Sequence, residues 1–146
     1  MNNYLFWAGR LTSIVSFMHV GIVIGGPDWY RFFGAGEGMA QQAEMGMSEP
    51  ILVTLFISFI LAVWALYAFS GAGLIPKLPL MKPVLIAICI VFFLRGLLGV
   101  PMVIMMDHPY LNELQAKMTF MVISSIICLG FGYLYLKGIF KMKQDN

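Results

Sequence analysis

The run 84–106, VLIAICIVFFLRGLLGVPMVIMM, contains one charged residue in an otherwise apolar stretch. As a helix rising 1.5 Å per residue it is about 35 Å long, enough to cross a hydrocarbon core about 30 Å thick. That length and composition decide for a membrane-spanning helix. They also single out Arg95. A charge at bilayer depth costs at least ~2.5–3.5 kcal/mol and persists where a partner, a wet cavity or a function supports it.

Three more runs have the same character, at 4–24, 51–70 and 118–136. Over the whole chain 60% of residues are hydrophobic and 11% charged, against roughly 25% charged in soluble domains. The expected fold class is therefore an all-α integral membrane protein, an antiparallel bundle of four transmembrane helices forming one domain over 1–146. The first run begins MNNY without a basic leader segment, contains Arg10 and His19 and has no A-x-A-like cleavage site, so it reads as a retained helix. A net charge of +2 gives no reason to expect nucleic acid as a partner. Cys89 and Cys128 fall in different runs, outside any C-x-x-C, and read as packing residues.

Lys77, Lys82, Lys137, Lys141 and Lys143 gather on the side of the two termini, with Arg10 close by. The opposite connections hold only Arg31 and Lys117. The excess of cations on one side predicts that both termini are cytoplasmic and that the protein sits in the inner or plasma membrane. The acids Asp28, Glu37, Glu44, Glu49, Asp107 and Glu113 fall on the outer side, leaving Asp145 inside. Acids contribute little to topology, so this clustering points to outward-facing chemistry. Tyr4, Trp7, Trp64, Tyr67, Tyr133 and Tyr135 are expected at the inner interface, and Trp29, Tyr30 and Tyr110 at the outer one.

At 100° per residue the first helix puts Trp7, Leu11, Ile14, Val15, Met18 and Ile22 on one side and Thr12, Ser13, Ser16 and His19 on the other. The second span has small residues at Thr54, Ser58, Ala62 and Ala65, and the fourth at Ser124, Cys128 and Gly132, spacings that let helices approach closely. Gly99 shares a stripe with Arg95, and Pro101 loosens the ladder above it. The long connection GGPDWYRFFGAGEGMAQQAEMGMSE at 25–49 carries Glu37, Gln41 and Glu44 on one helical face and Met39, Ala43 and Met47 on the other, which predicts a short amphipathic outer helix at about 37–47. No acid lies inside any span, so this helix has two roles open to it. It rests at the headgroup boundary, or it acts as a lid that brings Glu37 or Glu44 to His19 and Arg95. The expected polar pocket is His19 and Arg95 with Arg31, Glu37, Glu44 and Asp107.

Arg10, the hydroxyl-bearing stretch after it, His19, Gly21 and Gly25 resemble the first helix of the DoxX/DoxD-like membrane proteins. The resemblance implies a four-span bundle and an association with membrane redox complexes, including quinone-linked ones, with Arg10 and His19 as the matched positions.

Three functions follow as expectations. One is a binding or accessory module whose outward pocket holds a quinone- or lipid-like amphiphile, with the bilayer, a membrane redox partner or a second copy as partner. Another is a proton-coupled transporter or channel subunit using His19, Arg95 and Glu44. A third is outer-side copper handling by Met39, Met45, Met47, Met102, Met105, Met106, Met118 and Met121 with His19 and His108. No nucleophile–base pair, zinc signature or phosphate loop points to catalysis, and quinone is the one cofactor suggested.

Overall fold

The computed structural model describes residues 1–144; Asp145 and the side chain of Lys143 lie outside the described residues. Seven helices follow in order: α1 (Asn3–Gly25), α2 (Pro27–Phe32), α3 (Glu37–Glu44), α4 (Glu49–Ala72), α5 (Met81–Met105), α6 (Pro109–Gln115) and α7 (Met118–Gln144). Among the described residues there is no strand. Helices α1, α4, α5 and α7 are long and apolar enough to cross a membrane. They coincide with the four apolar runs, most of them reaching a few residues further.

The short helices α2 and α6 go beyond the expected elements, and proline explains both. Pro27 and Pro109 stand at helix starts, where a fixed φ suits the first turn and the missing N–H costs nothing. The His108 side chain also accepts the Tyr110 N–H at 3.3 Å, capping α6. Helix α2 then folds back on α1, with the Trp29 ring against Gly25 where a Cβ would overlap it. Only glycine permits that approach.

The four long helices associate as two closely packed pairs, α1 with α4 and α5 with α7. Contact between α1 and α7 is smaller, and α4 meets α5 and α7 only slightly. Polar side chains lock the first pair: Ser16 Oγ donates to the Ser58 carbonyl at 2.7 Å and Ser58 Oγ to the Ser16 carbonyl at 2.9 Å. Thr12 and Tyr135 join the pairs through their hydroxyls at 3.1 Å. At the end bearing the N-terminus, Asn2 donates its N–H to Ala72 and its side-chain amide to Gly138.

At that end the pairs share one core, built on Leu5, Ala8, Ala68, Leu85, Phe92 and Tyr135. Toward the other end the core divides. Ile22, Tyr30 and Ala40 form one cluster beside α1, and Val103, Leu114 and Met121 form another between α5, α6 and α7.

Tyr135 and Tyr30 are fully buried, and Trp64 packs edge-on against Phe92 at 5.6 Å. Thr12 meets the Tyr135 hydroxyl, which accommodates that ring inside, whereas the buried Tyr30 hydroxyl has no hydrogen-bond partner among the described residues. On α1, Thr12 and Ser16 are buried as the polar face predicts, whereas Ile22 is buried too because α2 covers it. Thr54, Ser58 and Ala65 are buried on α4, while Ala62 is exposed.

Candidate functional site

Two polar centres emerge, one in the cap made by α2, α3 and α6 and one on α5. The cap is organised by Arg31. Its Nε and Nη2 donate to the two carboxylate oxygens of Glu37 at 2.9 and 2.7 Å, the paired fork that guanidinium and carboxylate geometry favours. Nη1 lies 2.8 Å from Glu44 and 3.5 Å from Asp28. Glu37 and Glu44 are seven residues apart on one face of α3, so a single side chain entering from α2 reaches both.

Contacts from α6 close the cap. Tyr110 donates its hydroxyl to the Gly34 carbonyl at 2.9 Å, and Glu113 accepts the Glu37 N–H at 2.8 Å. Lys117 donates to the Arg31 carbonyl. A cleft of about 510 Å³ remains between Arg31, Glu37, Glu113 and Lys117. Arg31 holds the Glu37 carboxyl below the usual carboxylate range, while the two glutamates raise the Arg31 guanidinium further. Burial pushes the Tyr110 phenol up.

The lid arrangement therefore takes a different form from the one expected. Glu37 and Glu44 serve Arg31, not His19 or Arg95, because Arg31 sits one short turn away on the preceding helix and offers three charged donors. Asp107 stands apart, accepting from the Asn112 side chain at 2.9 Å. His19 is half-buried and donates Nδ1–H to the Val15 carbonyl of its own helix at 2.8 Å. Arg10 stacks over Phe6 and Trp7, 5.6 and 5.3 Å from their centroids.

Arg95 is exposed in the region of α5 where the shared core has divided. Its guanidinium packs against Gly99, where a Cβ would overlap Nη1. Nη2 reaches Ser124 Oγ at 3.4 Å and Met121 Sδ at 4.0 Å, both long contacts to α7. Among the described residues no carboxylate comes within ion-pair distance of it. Ser125, also on α7, has a buried hydroxyl with no hydrogen-bond partner among those residues.

Of the six expected pocket residues, the structure thus unites Arg31, Glu37 and Glu44 and leaves His19, Arg95 and Asp107 in separate surroundings. Arg31 as the hub, and Glu113, Lys117, Tyr110, Ser124 and Ser125 as contributors, were not legible as such. The seven-residue spacing of Glu37 and Glu44, with an arginine just upstream, is the one signal that marked the hub. Among the described residues no group of three or more His, Cys, Asp or Glu side chains could hold a metal ion. Compared with protein-family models, curated proteins and solved structures, the chain finds no match.

Proposed function

We propose that the chain is a multi-pass protein of the inner or plasma membrane, an antiparallel four-span bundle with both termini cytoplasmic, that binds an amphiphile at Arg95. It serves as a binding or accessory module, with a quinone- or lipid-like ligand and a membrane redox partner as the chemistry that fits. The observation carrying this reading is an exposed guanidinium about 15 Å from the end of α5, by helix rise, held among the described residues by long contacts to a hydroxyl and a thioether. Such a group gains most from a polar head group brought by a molecule with an apolar tail.

The exposure of Arg95 together with Val91, Leu98 and Met102 supports lateral access along the outer face of α5. The distribution of cations supports the outward assignment of the cap, since Arg31 and Lys117 lie there whereas Lys77, Lys82, Lys137 and Lys141 lie at the other end. For the cap to present its acids to Arg95 or His19 they would have to leave Arg31, so a proton relay through Glu44 has no observation in its favour.

Retention of ubiquinone tests the reading. Protein purified in a neutral detergent is expected to carry quinone or lipid in stoichiometric amounts, with Arg95→Leu reducing retention by about tenfold, the loss of one charge-assisted hydrogen-bonding group. Equal retention by both proteins would remove Arg95 from the site.

A further inference from the structure

We infer that Arg95, Gly99 and Ser125 form the head-group seat for a single-chain amphiphile bearing a carboxylate, such as a long-chain fatty acid. This rests on the amphiphile-binding reading and names its ligand class.

The argument begins with charge. Arg31 takes Asp28, Glu37 and Glu44, while Glu113 accepts from the Glu37 N–H and Asp107 from Asn112. Glu49 occupies the first turn of α4, where the helix dipole favours an anion. Every acid among the described residues is thus at a helix end or in the cap. A second copy of the chain has no acid to offer at this depth either, since α1, α5 and α7 contain none and α4 has only Glu49 at its start. Among the described residues no acid is placed to neutralise Arg95, and that anion is assigned to another molecule.

Geometry narrows what that molecule presents. Nη1 lies over the bare Cα of Gly99, and a Cβ at the same position would come within 3.1 Å of Ser125 Oγ. The guanidinium edge and a buried hydroxyl without a partner among the described residues thus both border the place a Gly99 Cβ would take. A guanidinium fork matches the two oxygens of a carboxylate, and the serine donates to one of them once the ligand draws the guanidinium off Gly99 and uncovers the hydroxyl. Val91, Leu98 and Met102, at four residues before and three and seven after Arg95, share its face and are 45%, 47% and 45% exposed. They provide an apolar track for one chain. One chain with a small head group fits that single track, whereas a two-chain phospholipid brings a second chain and a bulkier head group to a seat about 15 Å from the end of α5 by helix rise.

Calorimetric titration of the full chain in neutral micelles compares oleate, oleyl alcohol, phosphatidylglycerol and decylubiquinone. Oleate is expected to bind about tenfold or more tightly than oleyl alcohol. Arg95→Leu should abolish that preference, and Ser125→Ala should reduce it by about threefold while the variant remains monodisperse. The serine variant keeps the test meaningful if the arginine variant does not fold. Equal binding of oleate and the alcohol, or an unchanged preference in both variants, overturns the inference. So does preferential uptake of phosphatidylglycerol. Binding of decylubiquinone that depends on Arg95, without binding of oleate, overturns the carboxylate seat and leaves the amphiphile site standing; failure of all four ligands removes both.

Discussion

Two arginines of this chain have opposite circumstances. Arg31 is surrounded by carboxylates in the cap, and Arg95, on an apolar helix, has none among the described residues. The first predicts a pH response. Glu37 is held below its ordinary range, so its ion pair stabilises the cap at and above the pH where an unperturbed glutamate ionises and is lost as pH falls through the depressed value. Arg31 stays charged throughout. Hydrogen exchange over 27–47, corrected for intrinsic rate, is therefore expected to show a protected cap at neutral pH and a loosened one in acid. Glu37→Gln should be loosened at both, and equal protection of the native cap at the two pH values would contradict the role given to this pair. The arginine hub was partly legible beforehand, since the helical spacing of Glu37 and Glu44 is a sequence property. Its choice of partner was not, because it depended on the chain turning at Gly26 and Pro27 to bring α2 alongside α3.

At the scale of elements, the spans follow directly from sustained apolar runs, and α3 from its two-faced pattern. Helices α2 and α6 were hidden because each is barely two turns long and has no periodicity to detect, only a proline at its start. The reciprocal Ser16 and Ser58 bonds were foreshadowed by hydroxyls on the predicted interior faces, though their pairing required the register of α1 against α4. Ser58→Ala should cost about 0.6–1.7 kcal/mol, the range for polar contacts between membrane helices. Because each serine donates to the other's carbonyl, the double variant with Ser16→Ala should cost less than the sum, measured by unfolding in mixed micelles. Tyr135→Phe strips the hydroxyl partner from the buried Thr12 and should cost about 1–3 kcal/mol in the same assay. A neutral result there would mean that Thr12 finds another partner.

Across the whole molecule, one end is built on a core shared by all four long helices, while toward the other, under the charged cap, the buried residues fall into two separate clusters. That division was beyond sequence patterns, which show which face of a helix is polar but not which neighbour it meets. If the cap faces outward, single cysteines placed at Gly46 and Gly73 in a background lacking Cys89 and Cys128 will label differently in intact cells. Position 46 should react with a membrane-impermeant maleimide and position 73 only after lysis. The claim on which the functional account rests is that an amphiphile seats at Arg95, and photolabelling in native membranes addresses it at residue level. An amphiphile with a diazirine near its polar head should mark the α5 and α7 peptides containing Leu98, Met121 and Ser124, with labelling largely lost in Arg95→Leu. Labelling spread evenly over all lipid-facing helices, and indifferent to that substitution, would refute the site.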